Sequence, residues 1–295
     1  MHQAVGIYYN IKRDDIVAIA QRVATFLTER GVKVFAGDKT LASRAGLSFL
    51  PGEKFLQTIT LMVVIGGDGT FLRAANQVRD AGIPLIGINQ GNLGFLAELE
   101  LEEFESNLDV LIAGNYAIEE RMTISAELYR RGVRICHTTG LNDITVNRNP
   151  VENTLELDVY LGYQLIDSYQ ADGILVATPT GSTGYSMSAG GPLIYPGTDC
   201  LIVNPICAHA LGTNSVIVPA DGMIDIQLTR SGEDAYLLTD GRSPVHIRQG
   251  DNVCVYKAET PTRIVKLEEH QFFETVRNKL LNRTYRRMHH KEGTL

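Results

Sequence analysis

Asp68 is the only charged side chain in Gly66-Gly67-Asp68-Gly69-Thr70, a turn that follows five unbroken apolar residues, Leu61 to Ile65. A short apolar run ended by glycines has the pattern of a strand buried on both faces of a parallel sheet. The carboxyl end of such a strand is where open α/β sheets bind ligands. Three glycines let the backbone turn sharply and let a ligand approach the main chain. Thr70 is expected to cap a helix carried by Phe71, Leu72, Ala74, Ala75 and Val78, whose free amides would receive phosphate. The chemistry these residues suggest is a phosphate-bearing ligand with Asp68 acting on it.

Other chemistry-bearing stretches share the same texture. Gly87 to Phe95 contains Gly91-Asn92-Leu93-Gly94-Phe95, and Asp172-Gly173 stands before a further apolar run. Thr178-Pro179-Thr180-Gly181-Ser182-Thr183-Gly184-Tyr185-Ser186 continues through Met187-Ser188 to Ala189-Gly190-Gly191-Pro192. Such a loop can wrap ribose hydroxyls and phosphate oxygens with amides and hydroxyls, while Tyr185 offers a flat face to a base. Asn142-Asp143 places an amide beside a carboxylate, a pair suited to exocyclic groups and hydroxyls, although Asn-Asp by itself is ordinary turn chemistry. Absent motifs narrow the field. No GxxxxGK[ST] and no helix-opening GxGxxG occurs, and the serine of Gly181-Ser182-Thr183-Gly184 lacks the GxSxG elbow. His137, His209, His246 and His270 show no HExxH-type spacing.

The elements that must position these groups fall into two textures. Ala4 to Tyr8, Val32 to Phe35, Leu61 to Ile65 and Pro84 to Ile88 read as strands. Helices are expected over Ile16 to Arg30, stopped by Gly31, over Thr70 to Asp80, and over the acidic segment Glu98 to Ala113. Alternation of this kind implies a parallel sheet with right-handed crossovers. Residues 37 to 57 are too weakly periodic to assign. From about residue 116 the pattern becomes short strands at close spacing: Thr123 to Arg130, Arg134 to Thr138, Ile144 to Asn147, Leu155 to Leu161, Gln164 to Tyr169 and Gly173 to Thr178. Ser215 to Val218, Met223 to Leu228, Ala235 to Thr239 and Asn252 to Lys257 continue it, as in a β-sandwich. Gln271 to Leu281 is an apolar helical stretch expected to pack back on the first domain. The expected domains are therefore residues 1–115, joined by 271–295, and residues 116–270.

Composition sets the outer bounds. At 295 residues, 44% of them apolar and 21% charged, the chain reads as an ordinary globular protein large enough for two cores. A net charge of -7 argues against nucleic acid or an anionic membrane as the main partner. Cys136, Cys200, Cys207 and Cys254 form no CxxC pair and match neither a zinc set nor a compact disulfide framework. With no apolar run near ~18 residues and no leader pattern at Met1, a cytoplasmic protein is expected.

Taken together, Gly66 to Thr70, Gly91 to Phe95, Asn142-Asp143, Ala171-Asp172-Gly173 and Thr178 to Pro192 resemble the NAD kinase family, in the family's order and over nearly the whole chain. The resemblance implies an α/β plus all-β protein, with a Rossmann-like N-terminal domain and a β-sandwich-type C-terminal domain. It implies transfer of the γ-phosphoryl group of ATP to the adenosine-ribose 2′-hydroxyl of NAD. It also implies a homo-oligomer, a dimer or tetramer. Asp68 resembles the general base, with Gly67, Gly69, Thr70 and Asn92 against the ligand and Arg73 one turn into the helix where it can reach a phosphate. Asn142 and Asp143 match an Asn-Glu pair that holds groups of NAD, the Asp being one methylene shorter. Asp172 matches an acidic position, Gln170 stands where many relatives carry Arg, and Thr183, Gly184, Tyr185, Ser186 and Ser188 match a TAYSxS segment with Gly for Ala. Asn153 and Arg242 fall at ligand-contacting positions by looser alignment. Mg²⁺ would be held mainly by nucleotide phosphates and water. GGDGT alone is shared with kinases of lipid and sugar hydroxyls, which leaves those and a silent dinucleotide sensor as alternatives.

Overall fold

A computed structural model describes residues 4–89, 94–97, 99–149, 153–210, 213–230, 235–267 and 272–279. The chain divides into two compact units, one running to Glu119 and resuming at Arg263, the other running Glu120–Thr262.

The first unit opens with β1 (Ala4–Tyr9), α1 (Asp14–Glu29) and β2 (Lys33–Ala36). The helix forms because Ile16, Val17, Ala20, Val23, Ala24 and Leu27 recur on one face and all are buried. The unassigned stretch 37 to 57 holds α2 (Lys39–Ala45), β3 (Ser48–Phe49) and α3 (Gly52–Thr58). The Asp38 carboxylate caps α2 by accepting from the Thr40 and Leu41 amides at 2.8 and 2.9 Å, and Gly46 ends it in the left-handed region at φ 68°. Then come β4 (Leu61–Ile65), α4 (Asp68–Val78) and β5 (Leu85–Ile88). Every residue of β4 is buried, as a strand covered on both faces requires.

Two expectations need correction here. Thr70 does not cap α4: Gly67 is the N-cap and Asp68 the first helical residue, because the Thr70 amide donates to the Gly67 carbonyl at 2.8 Å and so begins the helical turn two residues earlier. The helix expected over Glu98 to Ala113 is two shorter ones, α5 (Leu101–Ser106) and α6 (Leu108–Ala113), broken at Asn107, while Glu98 lies outside the described residues. The break lets Phe104, Leu108 and Leu111 all enter the core cluster built on β1, β4 and α1.

The parallel strands run β3-β2-β1-β4-β5. The order reverses direction between β1 and β4, so the carboxyl end of β4 lies at the topological switch point. The sheet is extended by β6 (Ala117–Arg121) and by a late strand, Thr262–Lys266, which pairs in parallel with β5 through Ile264 and Leu85. Neither strand was expected from the sequence.

The second unit consists of two six-stranded antiparallel sheets. Its strands in chain order are β7 (Ile124–Arg130), β8 (Val133–Gly140), β9 (Asp143–Arg148), β10 (Leu155–Leu161), β11 (Gln164–Ala171) and β12 (Gly173–Ala177). After a one-turn helix α7 (Tyr185–Ser188) come β13 (Cys200–Ile206), β14 (Val216–Pro219), β15 (Ile224–Arg230), β16 (Ala235–Thr239), β17 (Arg242–Ile247) and β18 (Asn252–Lys257). The late strand Thr262–Lys266 is β19, and a final helix, α8, covers 272–279.

One sheet runs β11-β10-β15-β18-β7-β8 and the other β14-β13-β12-β9-β16-β17. Alternation puts Ile174 and Val176 of β12 into the main core with Leu157, Ile226 and Val255. Leu175 and Ala177 of the same strand point the other way, into a small cluster with Ile202 and Ile206, against which Ala189 and Ile194 pack. That second cluster holds the segment following Thr178 against its sheet.

Candidate functional site

Two groups of residues, one in each unit, carry the polar chemistry. In the first, the glycine turn hands the chain from β4 to α4 and leaves Asp68 in the first helical turn. Its carboxylate accepts from the Phe95 amide at 3.0 Å on Oδ2, and from the Leu96 and Ala97 amides at 3.0 and 3.3 Å on Oδ1. Lys279 Nζ of α8 lies 3.6 Å from Oδ2 and 3.8 Å from the centroid of the Phe95 ring. A Cβ on Gly94 would fall 2.3 Å from Asp68 Oδ1 and 2.7 Å from the Ala97 carbonyl, so this position must be bare for the carboxylate to lie there. A Cβ on Gly67, by contrast, would meet nothing within 4 Å. Thr70 is buried, and Arg73 is exposed and about 140° around α4 from Asp68, so the two do not share a face. Asn92 lies outside the described residues.

In the second unit, the loop entering β9 is held by Asp240. Asp240 and Gly241 have positive φ, 48° and 68°, and form the two-residue turn between Thr239 of β16 and Arg242 of β17. Turned that way, the Asp240 carboxylate accepts from the Leu141, Asn142 and Asp143 amides at 3.1, 2.8 and 3.2 Å. In return the Asp240 amide donates to the Asp143 carbonyl at 2.9 Å. Burial, with the Asp240 charge added, pushes the Asp143 carboxyl up to about 7. Asp240 is also raised by burial, but its three amide donors and Arg242 pull the other way.

The same loop meets the hydroxyl-rich segment. The Thr178 amide donates to the Asn142 carbonyl at 2.9 Å, and a Cβ on Gly181 would sit 2.0 Å from that oxygen. Not every hydroxyl in the segment is available to a ligand. Thr178 Oγ1 donates to the Leu141 carbonyl at 2.7 Å, Ser182 Oγ to the Pro179 carbonyl at 2.6 Å, and Thr183 Oγ1 to the Thr180 carbonyl at 3.1 Å. These hydroxyls fold the loop. The side-chain oxygens of Asn142 and Ser186 are buried and accept or donate to nothing among the described residues, a costly condition that a bound polar group would relieve. Tyr185 and Ser188 are exposed, and Gly184 leaves Asn142 Nδ2 at 3.2 Å from where a Cβ would stand.

Asp172 is ion-paired with Arg148, whose Nε donates to Oδ1 at 2.5 Å, a partner that sequence reading did not supply. Gln170 is exposed and donates to Thr154 Oγ1 at 3.3 Å, while Asn153 is exposed beside it in the chain. Arg242 opens β17 immediately after the Asp240-Gly241 turn. Asp240 had a signal in the sequence, since Asp-Gly between apolar runs marks a hairpin. Lys279 and Arg148 had none, because their partners lie far away along the chain.

A twisted parallel sheet with a glycine turn and a carboxylate at its switch point, joined to an antiparallel sandwich with a hydroxyl-rich polar loop, defines a two-unit nucleotide-binding architecture. Residues 5–116 match the family described as ATP-NAD kinase N-terminal domain, and residues 141–267 match ATP-NAD kinase C-terminal domain. The NAD kinase of Moorella thermoacetica is 38% identical over 278 residues, covering 94% of this chain and 89% of the relative. That of Geotalea daltonii is 34% identical over 277 residues, covering 94% and 97%. Among solved structures, an NAD kinase from Archaeoglobus fulgidus in complex with ATP superposes with a TM-score of 0.73 at 27% identity, covering 93% of this chain and 98% of that one. A yeast NADH kinase complexed with NADH shares the fold, with a TM-score of 0.85 at 23% identity over 95% of this chain and 87% of that one. The chain belongs to the NAD kinase family.

Proposed function

We propose that this chain transfers the γ-phosphoryl group of ATP to the 2′-hydroxyl of the adenosine ribose of NAD, giving NADP and ADP. The observation that carries the mechanism is the Asp68 carboxylate, set by the glycine turn at the switch point of the sheet. In the reaction Asp68 accepts the hydroxyl proton, the 2′-oxygen forms its bond to the γ-phosphorus, and the bond from that phosphorus to the β–γ bridging oxygen breaks with ADP leaving. A positioned base of this kind contributes about 10² to 10⁴ in rate, and most of the remainder comes from placement and charge neutralisation.

The second unit supplies recognition. Asn142 Oδ1 and Ser186 Oγ, buried without partners among the described residues, are suited to hydrogen-bond the dinucleotide, and Asp143, its carboxyl pushed up to about 7, can donate or accept near neutral pH. Tyr185, Thr183, Gly184 and Ser188 line the same segment, with Asp172, Gln170, Asn153 and Arg242 as further contacts. Gly67, Gly69, Thr70 and Asn92 are assigned to the phosphate side, and Arg73, on another face of α4 from Asp68, would reach a phosphate only away from that carboxylate. On this reading the unit that runs to Glu119 and resumes at Arg263 carries the chemistry, and the unit Glu120–Thr262 carries NAD.

Among the described residues no three His, Cys, Asp or Glu side chains cluster to hold a metal. A divalent cation is proposed to arrive on the triphosphate, held mainly by its oxygens and water. When bound, Mg²⁺ would neutralise the phosphate charge. We further assign a homo-oligomer, supported by exposed Val133 and Ile135 on β8 and exposed Tyr163 and Leu165 at the β10–β11 end of the same sheet. The cytoplasm is the proposed compartment, in keeping with four free thiols.

Incubation with ATP, Mg²⁺ and NAD is expected to yield NADP. Absence of NADP with phosphorylation of a lipid or sugar hydroxyl would overturn the reading in favour of another GGDGT kinase, and nucleotide binding without any turnover would mark a sensor. Asp68→Asn is expected to lower kcat by about 10² to 10⁴ while NAD binding stays within about tenfold. Light scattering is expected to report two or four times the mass of one chain.

A further inference from the structure

We infer that Lys279, on the last described helix, is a positioning residue for the Asp68 carboxylate, and that α8 is thereby part of the phosphoryl-transfer machinery. The inference rests on Asp68 being the base. A carboxylate offers about four acceptor directions. Three are taken by backbone amides that cannot move without unfolding the 95–97 turn, at 3.0, 3.0 and 3.3 Å. The fourth faces Lys279 Nζ, the longest of the contacts at 3.6 Å. A hydroxyl proton arriving at Asp68 must therefore come in on the side the ammonium holds, on Oδ2.

Lys279 is built to hold that side and then yield it. Its ammonium also lies over the Phe95 ring, 3.8 Å from the centroid, so it has a second attraction that holds it beside Asp68 when a hydroxyl bonds to Oδ2. The Lys279 and Asp68 side chains keep only 22% and 33% of their surface exposed, so the pair is partly shielded from water and salt. A phosphate anion approaching Asp68 meets a carboxylate already balanced by one positive charge. Lys279 thus sets where the carboxylate points and lowers the electrostatic opposition to the donor, without itself taking a proton.

The test uses the full chain with ATP, Mg²⁺ and NAD. Lys279→Met keeps the aliphatic stem and removes the charge; kcat is expected to fall about 10- to 100-fold, with the KM for NAD changed less than about threefold. Lys279→Arg is expected to recover most of kcat, because charge and ring stacking both persist. Phe95→Leu is expected to lower kcat in the same direction, and to add little in the Lys279→Met background, since both act on one ammonium. Thermal unfolding of each variant separates a lost helix anchor from a lost charge. Lys279→Met turnover within about twofold of wild type, or a loss that Lys279→Arg does not repair, overturns the inference. Asp68→Asn serves as the control: if it retains turnover, the base assignment fails, whereas an inactive Asp68→Asn beside a normal Lys279→Met sinks only the role of Lys279.

Discussion

Gly94 shows how much one missing methyl group can matter. A Cβ there would stand 2.3 Å from Asp68 Oδ1 and 2.7 Å from the Ala97 carbonyl, closer than side chains tolerate. Gly94→Ala should push the carboxylate off its amides, lowering kcat by about 10²-fold through misplacement, and the KM–kcat split from steady-state kinetics checks it. At Asp143 the handle is pH. Its carboxyl is pushed up to about 7, whereas an unfolded aspartate titrates near about 4. Between those values the folded chain holds a proton the unfolded chain has released, so this group's contribution to stability declines as pH rises through that window and levels off above it. Asp143→Asn removes the slope, so its melting temperature relative to wild type should rise between about pH 5 and about pH 8, as scanning calorimetry would show.

Elements were legible where their pattern was long or uninterrupted. The run at β4 and the heptad-like face of α1 were plain because every apolar position has a neighbour a turn or two residues away. Residues 37 to 57 were not, since α2 is only seven residues long with three of them buried, too short for a period to show. Its cap was nonetheless written in the sequence as Asp38. Asp38→Ala should cost about 1 kcal/mol and lower the melting temperature by roughly 2–4 °C in thermal denaturation. The strand β13 is not legible in the sequence although it is fully buried, and Pro205 within it, pairing with Ile174, is a residue that ordinarily argues against an interior strand. In the polar loop, Thr183 reads as a ligand contact, yet its hydroxyl donates to the loop's own Thr180 carbonyl, as those of Thr178 and Ser182 do to Leu141 and Pro179. Nothing in a sequence tells a hydroxyl that shapes a site from one that serves it.

At the scale of the whole molecule, the two textures of the chain correspond to a parallel sheet and an antiparallel sandwich. The family assignment adds a substrate to that architecture, and the proposed base, Asp68, lies in the first unit. The return of the chain to its first unit was legible in the apolar helical stretch from Gln271; what no local pattern disclosed is that it begins earlier, at Arg263 in β19, and that it ends on the carboxylate of Asp68. Strand β19 inserts next to β5, and α8 delivers Lys279 to Asp68, both after the entire second unit has been traversed. On the ribosome, then, the strands of the first unit emerge early but wait for a piece made after all of the sandwich. The unit that carries the proposed base cannot be finished until the unit proposed to hold its substrate has already been synthesised. A nascent or prematurely ended chain would lack both β19 and Lys279.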